Sequence, residues 1–248
     1  MEWSRTSKHE DRKLRILIHG QSGAGKTWMA RTVPDPSRCR LIAIEPGELS
    51  LADIDMPMVR LSKPSELDAV CKMLALPKNA AKFDWVYLDS LHALAEEILV
   101  DELSKNKDGR AAYGEMQRKV IGAIRDSLNM LPQHVVCTCR QERVLLDGRQ
   151  VFVPGLPGQT LTHKSPIAHE FDAVWALVVQ AGKDGEPASR WLLTDASADP
   201  SQTAKTRDPW GTIEAWERPD LASIAARLLR AETKTDNSES ADAAQEGE

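Results

Sequence analysis

The residues Gly20-Gln21-Ser22-Gly23-Ala24-Gly25-Lys26-Thr27 follow the pattern G-x-x-x-x-G-K-[ST]. Glycines at this spacing let a backbone wrap closely around a phosphate chain. The Lys26 ammonium can reach the β- and γ-phosphates, and the Thr27 hydroxyl can ligand Mg²⁺. The chemistry implied is capture of a nucleoside triphosphate, with ATP and Mg²⁺ as the expected ligands. Two carboxylates have the type and placement to complete such a site. Asp89 follows an apolar run and can hold Mg²⁺ together with Thr27, or it can cap the next helix, for which Ser90 is an equally good cap. Glu45 ends another short apolar run and can orient or deprotonate an attacking water, with Glu48 as a competitor.

These side chains need particular elements behind them. Leu14 to His19 reads as a buried strand and Thr27 to Thr32 as the first turns of a helix. A loop between them points amides and the positive end of a helix dipole at one spot. Arg40 to Glu45 and Phe83 to Ser90 read as further strands, each ending on or just past an acid. Helical spacing over Ser65 to Leu76 and Leu91 to Leu103, and from about Gly114 to Leu131, supplies the covering layers. His134 to Cys139 reads as a fourth core strand. Arg143 to Leu146 and Gln150 to Val153, joined through Asp147-Gly148, read as a hairpin. Strands over Ala173 to Val179 and Arg190 to Thr194 and a helix from Pro219-Asp220 to about Arg230 close the chain. Alternating strands and helices predict one α/β domain with a mostly parallel sheet and an antiparallel hairpin extension, its ligands at the carboxyl ends of the strands.

Composition narrows the class. The 248 residues suit one large domain or two small ones. No apolar run approaches the ~20 residues needed to span a bilayer, and residues 1–13 lack a signal peptide's apolar stretch, so a cytoplasmic protein without a membrane partner is expected. Cys39, Cys71, Cys137 and Cys139 show no metal-ligand spacing and read as buried thiols, with Cys137 and Cys139 on one face of their strand. The net charge of −5 equals that of residues 231–248, an acidic tail with few apolar residues that reads as disordered. Residues 1–13 then form an extension, and residues 14–230 the core.

These parts together resemble the RecA-like recombinases. Trp85 to Leu94 looks like that family's second nucleotide motif, and Glu45 falls where the family carries its catalytic glutamate. The usual preceding acid is replaced by Ala43-Ile44. Val135 to Thr138 resembles the strand leading to a γ-phosphate-sensing glutamine, for which Arg140 and Gln141 are both candidates that register does not separate. Ala204-Lys205-Thr206-Arg207 resembles a basic pair that reaches a neighbouring subunit's ATP, which gives Lys205 and Arg207 a catalytic role at an interface. More narrowly, residues 14–230 resemble phage ATP-binding proteins of the RecA-core type, some of them core-only single-strand annealing recombinases. Glu45-Pro46-Gly47, Tyr113 to Gln117, Val135 to Glu142 and Pro154 to Gly158 carry that likeness besides the motifs above.

The resemblance implies a RecA-like P-loop core and a DNA-dependent ATPase that assembles into rings or filaments. It further implies single-stranded DNA and a single-stranded-DNA-binding protein as partners, and host cytoplasm as location if phage-encoded. By position, its two DNA-contacting loops correspond to residues 104–113, with Lys105, Lys107 and Arg110, and 143–167, with Arg143, Arg149, His163 and Lys164. Tyr113 and Phe152 are the only aromatics there, a thin supply for base stacking. Two other readings compete: a nucleotide-gated scaffold or loader with little turnover, and a P-loop phosphotransferase acting on a small molecule.

Overall fold

The computed structural model describes residues 12–105, 108–158, 166–182 and 186–229. In chain order the elements are β1 (Arg15–Gly20), β2 (Cys39–Ala43), β3 (Met58–Arg60), α1 (Glu66–Ala75), the short α2 (Pro77–Ala80) and β4 (Trp85–Asp89). There follow α3 (Leu91–Lys105), α4 (Gly109–Gly122), β5 (His134–Leu146), β6 (Arg149–Pro154), β7 (Ala173–Gln180) and β8 (Ser189–Leu193). The chain then forms β9 (Lys205–Thr206), β10 (Trp216–Glu217) and α5 (Leu221–Leu228).

Among the described residues ten strands form the sheet, in the order β10-β8-β7-β1-β5-β4-β2-β3, with β6 beside β5 and β9 beside β7. From β7 to β3 every neighbouring pair is parallel. The pairs β7–β8, β8–β10, β7–β9 and β5–β6 are antiparallel. This is the predicted α/β architecture, a mostly parallel sheet with an antiparallel extension. Side chains alternate between two cores, as strand geometry requires. Leu17, Val86, Leu88, Val135, Cys137 and Cys139 pack under α1, α3 and α4. Ile16, Ile18, Trp85, Tyr87 and Val136 face the opposite layer, with Met29 and with Leu221 and Ile224 of α5. Cys137 and Cys139 thus share a face, and all four cysteines are buried free thiols whose pKa values burial raises.

Several elements differ from the sequence reading. The helix after Thr27 is a six-residue 3-10 turn, Thr27–Thr32, so loop amides rather than a long helix must supply most of the positive potential. The second strand stops at Ala43, which leaves Glu45 in the loop beyond it. Fourth strand and hairpin arm are one continuous thirteen-residue strand, β5. Its turn is the expected Asp147-Gly148, both with positive φ, 51° and 77°. The helix expected from Gly114 begins at Gly109, capped by the Asp108 side chain, and its last turns widen into a π-helix over Ala123–Leu128. Lys105 and Arg110 therefore sit in helices rather than a loop. The acidic tail lies outside the described residues. Among the described residues no helix is long and apolar enough to cross a membrane.

Candidate active site

Strand order decides what meets the glycine-rich loop. The loop leaves the carboxyl end of β1, and β5 lies between β1 and β4, so Asp89 reaches the loop from two strands away. Within the loop Gly23 and Gly25 have φ of 77° and 103°, backbone that side chains rarely adopt. Lys26 Nζ donates to the carbonyls of Gly20, at 3.0 Å, and Gln21, at 2.9 Å. Burial pulls the Lys26 pKa down, and the nearby carboxylates of Asp89 and Glu45 oppose that shift.

The first of two hydroxyls on Asp89 is the expected one: Thr27 Oγ1 donates to Oδ2 at 2.5 Å. The second, Thr138 Oγ1 on β5, donates to Oδ1. Asp89 is 2% exposed. Its burial raises the carboxyl pKa, the two hydroxyls oppose this, and the charge of Glu45 adds to it. A buried acid facing a second acid, with hydroxyls for partners, fits a hard divalent cation. Mg²⁺ in particular takes one or two protein carboxylates and completes its shell with phosphates and water. Tyr87, two residues before Asp89 on the same face of β4, donates its hydroxyl to the Lys26 carbonyl at 2.5 Å.

The loop after β2 closes the site from the side. Glu45, Pro46 and Gly47 line a cleft of about 770 Å³ together with Lys26, Thr27 and Asp89. Gly47 lies so close that a Cβ there would stand 3.0 Å from Thr27 Oγ1 and 3.4 Å from Asp89 Oδ2. Glu48, the competing acid, is turned away: it bonds the Gly47 amide and pairs with Arg60. The cleft is also lined by Trp28 and, from the β8–β10 side of the sheet, by Arg190, Arg218 and Pro219.

The remaining expected residues fall elsewhere. Arg140 is level with Gly20 across the β1–β5 ladder, and its charge lowers the Lys26 pKa. By strand alternation Arg140 shares the face of Thr138, and Gln141 takes the opposite one. Gln141 pairs with Pro154, and neither residue lines the cleft. Lys205 and Thr206 pair with Val174 and Ala173, and Ala173 is level with Ile16 near the start of β1. Lys205 and Arg207 therefore stand toward the opposite end of the sheet from their own chain's Lys26. Arg207 bonds Asp172 at 3.0 Å, while burial and Arg207 both lower the Lys205 pKa.

Among the DNA candidates, Lys105 pairs with Asp101 and Glu102. Arg110 is exposed in the first turn of α4, and Arg143 and Arg149 are exposed on the β5–β6 hairpin. Lys107, His163 and Lys164 lie outside the described residues. Tyr113 packs on Gly158, where a Cβ would come within 2.1 Å of its ring.

Sequence reasoning missed Tyr87, Thr138, Gly47, Arg190 and Arg218. Strand alternation could have found two of them: Tyr87 two residues before Asp89, and Thr138 as the polar residue on the inner face of β5. No spacing pointed to the arginines.

Among solved structures, a KaiC-like protein from the hyperthermophilic archaeon Pyrococcus horikoshii OT3 is similar, with a TM-score of 0.43 and 14% identity. The likeness covers 73% of this chain and 77% of that one. No curated protein matches. The family model described as AAA domain matches residues 12–208, most of the chain and the whole glycine-rich loop with its carboxylates. The protein belongs to the AAA domain family, as a P-loop ATPase domain.

Proposed function

We propose that this domain hydrolyses ATP in a DNA-dependent manner and acts as a RecA-like recombinase, promoting single-strand annealing or strand exchange in phage DNA recombination. The observation that carries the ATPase half is the Thr27–Asp89 contact beside Lys26, with Glu45 on the same cleft. Lys26 binds the β- and γ-phosphates, and Glu45 orients the attacking water. Thr27 and Asp89 would hold Mg²⁺, which neutralises developing phosphate charge when bound. Lys205 and Arg207, remote from their own loop, act on a neighbour's nucleotide in a ring or filament.

Support for DNA as the stimulating partner is of a different kind. β5 is level with the loop at Arg140 and continues to Leu146. The hairpin thus runs on past the nucleotide end of the sheet, and it carries the exposed cations Arg140, Arg143 and Arg149. Cations on a projecting ribbon can follow a phosphate backbone. The ordered likeness to phage recombinases supplies the setting.

The test is the ATPase rate with and without single-stranded DNA, with assembly followed by light scattering. Stimulation by DNA, lost in the Arg143→Ala plus Arg149→Ala variant, is expected. A rate indifferent to DNA would remove the recombinase reading and leave an ATPase of another purpose.

A further inference from the structure

The cleft is larger than the phosphate machinery alone requires, and its two ends differ in character. Strands β4 and β2 lie on one side of β1 and bring Asp89 and Glu45. Strands β8 and β10 lie on the other and bring Arg190 and Arg218. With the terminal phosphate by Thr27 and Asp89, the arginine side of the cleft is open to the nucleoside.

That end is built by cross-strand pairing. Trp216 is level with Leu193 and Glu217 with Leu192, so the next pair is Arg218 beside Trp191. The Arg218 guanidinium lies over the Trp191 ring, 3.9 Å from its centroid. Arg190, one residue earlier on β8, donates Nε to the Ala24 carbonyl at 3.0 Å and closes over Gly25. Among the described residues neither arginine has an acidic partner, although both line a cleft whose other end is acidic. A guanidinium held flat on an aromatic ring is a planar cation with one face still available, and planar guanidinium groups stack on nucleobases.

We propose that Arg218, supported by Trp191, is the platform on which the nucleobase of the bound triphosphate stacks. The assignment rests on the P-loop reading of the cleft and adds the residue that recognises the nucleoside. Trp28, next to Thr27 in sequence and 39% exposed, also lines the cleft.

Calorimetric titration of the whole chain with Mg·ATP and with Mg·tripolyphosphate, which has no base, separates the possibilities. Arg218→Ala should weaken ATP about tenfold, the scale of one lost stacking contact, and leave tripolyphosphate within about twofold. Arg218→Lys keeps the charge but loses the plane, and should remain as weak for ATP as the alanine variant. Equal weakening of both ligands, recovery in the lysine variant, or an unchanged ATP affinity would each overturn the platform. Failure of the P-loop reading looks different: Lys26→Ala would then bind both ligands as the wild type does. Arg218 is exposed, and a melting curve checks that both of its variants fold.

Discussion

The two ends of the nucleotide cleft are held by different physics. At the carboxylate end Asp89 and the loop are fixed by short directional bonds: Thr27 and, from the adjacent strand β5, Thr138 donate to Asp89, and Tyr87 donates to the Lys26 carbonyl. At the cationic end Arg218 is held by stacking and Arg190 by one bond to the Ala24 carbonyl, on strands added antiparallel at the sheet's margin. The contrast is between reaction and recognition. Catalysis depends on preorganised groups placed to fractions of an ångström, whereas a base tolerates a looser, stacked wall.

Perturbing each end sharpens that difference. The largest effect is expected at Lys26, whose replacement by alanine should reduce ATP affinity beyond about 100-fold, since it removes the one ammonium among the phosphate ligands; equilibrium dialysis with labelled ATP measures it. Asp89→Asn keeps the shape of the carboxylate end but removes its charge. It should lower kcat about 100-fold while ATP binding without Mg²⁺ changes little, as phosphate-release assays and titrations in chelator would show. An unchanged kcat would erase the distinction between the ends.

Acid should loosen the sheet beneath the cleft. His19, wholly buried with Nε2 bonded to the Thr203 carbonyl, and His134, bonded by the Leu14 amide, both have pKa values lowered by burial from 6.5 to about 4. The unfolded chain then takes up protons first as pH falls below 6.5. Stability present above that value drains away between pH 6.5 and 4, by roughly 3 kcal/mol for His19. Denaturant midpoints across that range read it, and His19→Gln should flatten the slope. The smallest effect belongs to Tyr87→Phe, which strips one hydrogen bond from the Lys26 carbonyl. A loss of about 1 kcal/mol in thermal unfolding is expected, with the base end unaffected.

Legibility in the sequence followed the same divide. At the carboxylate end the loop and Asp89 were readable because they are local: the loop is contiguous, and Asp89 closes an apolar run that forms β4, whereas Tyr87, Thr138 and Gly47, which meet them only in the fold, were not. Glu45 was readable as a candidate, though its strand ends two residues earlier, at Ala43. Arg190 and Arg218 were not readable, because they meet only through the β8–β10 register, and β10 is a two-residue strand with no periodicity to detect. The split of β5 into two predicted strands has a related cause. Arg140, Gln141, Glu142 and Arg143 interrupt the apolar pattern, yet they remain in the ladder because β6 supplies backbone partners from Gln141 to Leu146. Near Gly109 the polar run hid a helix start, which Asp108 secures through a side-chain bond to the Arg110 amide.

Tyr87 and Asp89 project from the same face of one strand and grip consecutive residues, Lys26 and Thr27. That strand therefore works as a ruler. The two contact points on β4 are one pleat repeat apart, a length that backbone geometry fixes, and they meet two consecutive residues of the loop. Any drift of the loop along the strand breaks both grips together, so the loop's register against β4 is fixed at two points rather than one.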